Sequence, residues 1–258
     1  MPFAALSAFR DKPIPDLGSA RGYRGLPIDF DNPRNAEPLV RADAFGIAGE
    51  NYYAATRNPP YYGAIPGAID ALIVRQGVAE RLARVNEKLN IADLELFLFD
   101  GWRPHAVQAY FHDVWLPAEL RRRKPGVSDA DLLAEVETYW AAPTTDRGSP
   151  SPHSTGGAVD LTIRWRGGEQ LWMGSLFDDA SPLAHPARFE TTIGAFSFSD
   201  EEARANRRLL HWLMREAGFV ANPTEWWHFS HGDQMWAMLT GAPAALYAGA
   251  DYAESLGA

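Results

Sequence analysis

Apolar positions change their period along this chain, and the changes mark its elements. Over residues 67–89, Ile69, Leu72, Ile73, Val78, Leu82 and Val85 recur at roughly helical spacing and predict a helix. Residues 94–99, Leu-Glu-Leu-Phe-Leu-Phe, predict a short strand ending at Asp100-Gly101-Trp102-Arg103-Pro104. The proline ends the extended run and suits the first turn of a following helix, residues 106–116, with Val107, Tyr110, Phe111 and Val114 on one face. Pro117 is expected to kink or break that helix before Arg121-Arg122-Arg123-Lys124. Ser128 is expected to cap a helix reaching Trp140. Residues 142–152 are a loop by composition. Residues 158–165 alternate, with Val159, Leu161, Ile163 and Trp165 on one face and Asp160, Thr162 and Arg164 on the other, the pattern of a half-buried strand.

Residues 167–198 carry no period and read as a long ordered excursion, a kind of loop often tied to function. Ser199-Asp200-Glu201-Glu202 reads as a capping box opening a helix to Ala217, which Gly218 stops. Two short strands, residues 219–221 and 226–230, and a last helical turn over 234–239 complete the pattern. Residues 1–64 are broken by prolines into runs too short to assign, and the cluster Tyr52, Tyr53, Tyr61, Tyr62 is expected to be a packed loop rather than a substrate platform. No repeat and no linker divides the chain. The expectation is one α+β domain over residues 1–258, a small, mainly antiparallel sheet flanked by helices, with 1–64 packed on it as an irregular segment.

Composition narrows the function. The chain has 258 residues, 46% of them hydrophobic, enough for one substantial core. A net charge of -9 argues against a nucleic-acid partner, which needs a basic stripe. The single basic run belongs at a helix end, where it complements the dipole. With no cysteine there is neither disulfide nor thiolate chemistry. The start of the chain does not resemble a secretory signal, and no apolar run approaches a membrane span, so a cytoplasmic protein without a membrane partner is expected. The oligomeric state is not legible.

The candidate chemistry lies in two remote stretches. Ser151-Pro152-His153-Ser154-Thr155-Gly156-Gly157-Ala158-Val159-Asp160 brings a histidine and an aspartate together across a glycine pair that permits a tight turn. Glu225-Trp226-Trp227-His228 adds a second histidine and an uncommitted acid among aromatics that would exclude water. Two imidazoles and one carboxylate are the donor set of a catalytic zinc site that keeps one position open. On this reading His153, Asp160 and His228 are the ligands, and Glu225 is the general base on water activated by the ion. His231, three residues on, is a rival ligand ranked lower because a Gly-Asp turn follows it. His105, His112, His185 and His211 lack a partner pattern and are expected to be structural or exposed. Arg103, beside a proline-fixed turn, suits stabilisation of an oxyanion, with pairing to Asp100 at the surface as the alternative.

Ser151-x-His153-x-x-Gly156-x-Ala158-x-Asp160 followed by Glu225-Trp226-Trp227-His228 resembles the signature of the zinc D,D-peptidases, and most of all the VanX-type D-alanyl-D-alanine dipeptidases. Asp100-Gly101-Trp102-Arg103-Pro104 is similar to that branch's Asp-Gly-Tyr-Arg-Pro, and Met173-Gly174-Ser175-Leu176-Phe177-Asp178 to its Met-Gly-Thr-x-Phe-Asp. The four motifs stand in the family's order across about residues 94–231. The resemblance implies one zinc ion per chain on His153, Asp160 and His228, Glu225 as base and Arg103 as oxyanion stabiliser. It also implies Asp178 and Ser151 as holders of the substrate's free ammonium. The expected activity is hydrolysis of D-alanyl-D-alanine or a related D,D-dipeptide. The alternatives are a D,D-carboxypeptidase or amidase on cell-wall peptides, and a non-catalytic zinc-containing binding protein. Trp102 stands where the family has tyrosine, and Ala184-His185-Pro186 differs from a histidine-rich run expected after Asp178.

Overall fold

The computed structural model describes residues 2–191 and 197–252, and every structural statement here concerns those residues. In chain order they form α1 (Ser7–Asp11), β1 (Leu39–Arg41), β2 (Ala48–Gly49), β3 (Ile73–Arg75), α2 (Gln76–Leu89), β4 (Leu94–Asp100), α3 (His105–Tyr110), α4 (Leu116–Arg123), α5 (Asp129–Tyr139), β5 (Ala158–Trp165), α6 (Phe198–Glu216), β6 (Val220–Ala221), β7 (His228–Ser230) and α7 (Gln234–Thr240), with short 3-10 turns between several of them. Five strands make one sheet in the order β2-β4-β5-β7-β6, and β1 and β3 make a separate antiparallel pair. Only β2 and β4 run parallel; the other pairs of the large sheet are antiparallel. The α+β architecture with a small, mainly antiparallel sheet is therefore as expected. Among the described residues no helix is long and apolar enough to cross a membrane.

β5 is the middle strand, and it departs from the half-buried reading. Val159, Leu161 and Ile163 are fully buried, but so are Asp160 and Thr162 on the opposite face. The alternation reported a real difference in polarity, yet both faces are covered: Val159, Leu161 and Ile163 join the apolar core, and Asp160 on the other face lines a cavity. The register then does something that the strand patterns could not reveal. Asp100 of β4 lies opposite Asp160 of β5, and Asp160 lies opposite His228 of β7, so three titratable side chains share one row across three strands. A register shift between Leu98 and Asp100 makes that row possible. Such a bulge turns the end of a strand and re-aims its side chains.

Several boundaries differ from expectation for identifiable reasons. Residues 73–75 are strand β3, and helix α2 begins only at Gln76. Pairing with β1, Val40 opposite Val74, outweighs the helical spacing of Ile69, Leu72 and Ile73. Pro117 does not break its helix. A π-helical turn, Phe111–Trp115, precedes α4, and the Leu116 N–H reaches five residues back to the Phe111 carbonyl. The hydrogen-bond register therefore changes just before the proline, which sits in the first turn of α4, where a missing N–H is tolerated. The basic run closes α4 and is neutralised by Glu119, Asp129 and Glu135. The capping box of α6 is Ser197 with Asp200, two residues ahead of the Ser199–Glu202 pair, which fits the same spacing rule. Ser128 caps α5 by accepting from the Asp131 N–H.

The aperiodic excursion after β5 is held from outside. Buried Arg207 of α6 donates to the carbonyls of Met173, Leu183 and His185. Burial lowers its pKa to about 9. This one guanidinium supplies backbone acceptors with partners that no regular element provides. Part of the excursion, residues 192–196, lies outside the described residues.

Candidate active site

The local chain path explains how His153 reaches the row of Asp100, Asp160 and His228. His153–Thr155 form a single 3-10 turn that ends at Gly156 with φ 73°. Left-handed backbone there reverses the chain at low cost only for glycine. A Cβ on the next residue, Gly157, would stand 2.5 Å from the His231 carbonyl oxygen, so the chain must be bare to enter β5. His153 is then fixed by its own ring, with Nδ1 2.8 Å from the Gly101 carbonyl oxygen. A carbonyl only accepts, so Nδ1 carries the proton and Nε2 presents a lone pair. His153 Nε2 lies 3.0 Å from His228 Nδ1 and 3.3 Å from Asp160 Oδ2, and His228 Nδ1 lies 3.1 Å from Asp160 Oδ1. Donor atoms of all three fall within 4.8 Å of one another, and all three residues are buried.

These residues fit a divalent cation on observations of the structure itself. Asp160 Oδ1 is buried with no hydrogen-bond partner. An orphaned carboxylate oxygen beside two inward-facing imidazoles is costly without a cation. Donor separations near 3 Å also match ligands that each stand about 2 Å from one ion. Burial pushes the Asp160 carboxyl upward, but His153 and His228 outweigh it and hold the group well below the usual carboxylate range. It is ionised, as a ligand must be.

Glu225 stands in the turn before β7, its Oε2 3.7 Å from His228 Nδ1. Asn222 Nδ2 donates to that same oxygen at 2.7 Å and fixes the carboxylate. Burial, followed by the nearby Asp160 charge, pushes its pKa up to about 8, with Arg103 and His153 opposing. Trp227 lines the same cavity, whereas Trp226 donates to Ser175 Oγ. Of the two tryptophans, therefore, only Trp227 is part of the cavity wall.

Arg103 is buried, contrary to the surface alternative, although its pairing with Asp100 is real. Nε donates to Asp100 Oδ2 at 2.8 Å, one terminal nitrogen to Gln108 Oε1 at 3.0 Å, and the other to Asp160 Oδ2 at 2.9 Å and Tyr53 Oη at 3.2 Å. Its guanidinium also stacks against Trp140. Burial alone would lower its pKa, but the surrounding Tyr53, Asp100, Asp160 and Asp178 raise it. A permanent cation thus sits beside the donor cluster.

Asp178 lines the same cavity of about 170 Å³, as do Ser151, Arg103 and Glu225. Its Oδ2 accepts from both Tyr53 (3.0 Å) and Tyr61 (2.8 Å) hydroxyls. Burial, then the Asp160 charge, raises its pKa well above the ordinary value. Two tyrosines of the aromatic loop therefore form part of the site, which spacing alone had not revealed; so do Asp100, Gln108 and Asn222. The departures from the motif fall outside the cavity. Trp102 donates to the Ala250 carbonyl and pins the C-terminal tail. His231 is not among the clustered donors; its Nδ1 bonds to the Gly218 carbonyl, and burial lowers its pKa to about 4.

A small sheet and the turns that enter it, together offering two imidazoles, a carboxylate and a further buried acid to one cavity, have the donor set of the metal-dependent hydrolases. A family model described as D-ala-D-ala dipeptidase matches residues 46–243, and the chain belongs to that peptidase family. A D-alanyl-D-alanine dipeptidase of Synechocystis sp. is 35% identical over 217 residues, spanning 78% of this chain and 84% of that protein. One of Enterococcus faecium is 30% identical over 168 residues, spanning 64% and 76%. Among solved structures, VanYB in complex with D-alanine-D-alanine aligns over 71% of this chain and 91% of its own at 17% identity and a TM-score of 0.39. The motif resemblance and the family match agree.

Proposed function

We propose that this chain hydrolyses D-alanyl-D-alanine, or a closely related D,D-dipeptide, with one zinc ion held by His153, Asp160 and His228. The observation that carries the reading is a single cavity holding three clustered donors, a buried glutamate beside them, and a buried carboxylate clasped by two tyrosines. Zinc, when bound, supplies Lewis acidity toward water and toward the scissile carbonyl.

The chain's own groups supply the rest. Asn222 holds Glu225 by Oε2 and leaves Oε1 to take a proton from water as its oxygen bonds to the carbonyl carbon. The same proton passes to the leaving nitrogen as the C–N bond breaks, so one water and one dipeptide give two amino acids. Arg103 offers fixed positive charge where the carbonyl oxygen becomes negative, and its four anchoring contacts mean that little reorganisation is needed. Asp178, with Ser151, receives the substrate's ammonium. A buried carboxylate without a cation is unfavourable, and an incoming ammonium relieves that.

The test is Glu225→Gln. It should retain one equivalent of zinc and lose turnover by roughly 10²–10⁴-fold, the usual worth of a positioned acid–base group. Unchanged turnover would remove Glu225 from the chemistry. Comparing free with N-acetylated D-alanyl-D-alanine separates a dipeptidase from a carboxypeptidase; equal rates would defeat the role given to Asp178.

A further inference from the structure

A guanidinium carries five N–H donors in one plane. On Arg103 the protein takes four of them: Nε bonds to Asp100, Nη2 to Asp160 and Tyr53, and Nη1 to Gln108. The rings of Tyr53 and Trp140 lie against the guanidinium, their centroids 5.0 and 4.6 Å from its carbon. The fifth donor, the second hydrogen of Nη1, has no partner among the described residues, and Arg103 lines the cavity. It is therefore the donor left for a substrate oxygen, and it shares its nitrogen with the bond to Gln108.

Gln108 stands on α3, 4% exposed, and its amide is engaged at both ends. Oε1 accepts from Arg103 Nη1 at 3.0 Å, and Nε2 donates to the Ala141 carbonyl, just beyond α5, at 2.5 Å. A guanidinium cannot accept and a carbonyl cannot donate, so only one orientation of the amide satisfies both. The reverse would set N–H against N–H at the arginine. The Ala141 carbonyl thus locks Gln108 from behind, and Gln108 presents a fixed, uncharged acceptor to Arg103. The lack of charge matters, because Asp100 and Asp160 already pair with this arginine. A third carboxylate would weaken its field at a developing oxyanion.

We propose that Gln108 is a positioning residue for the reaction. By holding one Nη1 hydrogen, it fixes the guanidinium so that the other meets the carbonyl oxygen as that oxygen becomes negative. The proposal rests on the reading of Arg103 as oxyanion stabiliser, and it concerns what keeps that donor aimed. Misplacing a catalytic group by about 1 Å costs up to about 10²-fold in rate.

The experiment is steady-state kinetics of the zinc-loaded enzyme on D-alanyl-D-alanine, with metal content measured for every variant. Gln108→Met keeps the length of the side chain and removes both bonds. It should retain its zinc, lower kcat by about 10–100-fold and leave KM within about twofold, the split of an interaction made only in the transition state. Because Gln108 acts through Arg103, the same substitution should change kcat by less than about twofold once Arg103→Lys has removed the planar fork. Should Gln108→Met fail to fold, Gln108→Asn, an amide one methylene too short to span Arg103 and Ala141 together, should show the same split. Wild-type kcat in the variant that folds, an equal fold loss in both arginine backgrounds, or a kcat loss matched by lost zinc overturns the positioning role. If wild type itself hydrolyses no D,D-dipeptide, the functional reading fails, and the role of Gln108 with it.

Discussion

Asp178 combines two features that a merely structural aspartate lacks. Its backbone is left-handed, φ 59°, and its carboxyl is buried among hydroxyls and other acids rather than beside a paired cation. Because its folded pKa is raised, protonation is favoured by folding. Its contribution to stability is therefore complete below the ordinary aspartate range and is lost as pH climbs through the raised folded value. Asp178→Asn keeps an oxygen for both tyrosine donors and removes the titration. Metal-free Asp178→Asn should melt higher than wild type at pH 8 and about equally at pH 4, read by scanning calorimetry, while losing preference for free over N-acetylated dipeptide. A lower melting temperature at pH 8 would contradict this. Arg103 makes the opposite case, since removing it strands Asp100 and Asp160 together in the interior. Arg103→Met should cost metal-free protein about 3–5 kcal/mol in denaturant titrations. At the residue scale, the gathering of His153, Asp160, His228 and Glu225 in one cavity was legible because all four lie in two short motifs. Tyr53, Tyr61 and Gln108 were not, since aromatic or amide spacing carries no mark of the carboxylate or guanidinium that folding brings to it.

The site's elements are organised by register more than by sequence proximity. Asp100, Asp160 and His228 are 60 or more positions apart in sequence but adjacent across β4, β5 and β7. Local pattern does locate β4, β5, α5 and α7, because each carries its own period or cap. It misplaces the start of α2 and the cap of α6. At α2 the pairing of β3 with β1 overrides helical spacing, and at α6 both Ser197 and Ser199 satisfy the same spacing rule, so local pattern does not choose between them. Pro117 failed as a breaker because a π-turn had already changed the hydrogen-bond register. Gly157 is where element and site meet: its Cβ position is occupied by the His231 carbonyl, and Thr155 Oγ1 and Tyr247 lie 3.0 Å away. Gly157→Ala must shift the entry of β5 relative to β7. The expected cost is about 1–3 kcal/mol of stability, typical of overpacking, accompanied by weaker zinc binding. Calorimetry and chelator competition check both, and wild-type values in the two assays would show that the tight approach is unimportant to the site.

At the scale of the molecule, the N-terminal segment does more than cover a core. Leu6 and Ile14 are buried, Arg10 reaches Asn206 of α6, and Trp212 of α6 donates to the Lys12 carbonyl. Further along, residues 18–21 and Tyr23 line the cavity, together with residues 137–141 at the end of α5. Proline-broken runs gave no hint of this, because a segment without regular structure is positioned by whatever it packs on. Its anchor is Arg24, whose terminal nitrogen donates to the Ala142 carbonyl at 2.6 Å, while Gln234 of α7 donates to the Arg24 and Leu26 carbonyls. A wall held at both ends restricts the cavity to a small substrate, which favours a free dipeptide over the end of a long peptide. Arg24→Ala loosens one end and touches neither the donor cluster nor Glu225. The variant should keep its zinc, show a raised KM for D-alanyl-D-alanine with kcat within about twofold, and gain activity on longer D,D-terminated peptides, the pattern of lost uniform binding. Steady-state kinetics on a dipeptide and a pentapeptide decide it: an unchanged KM and an unchanged ratio between the two would mean that the wall does not select by length.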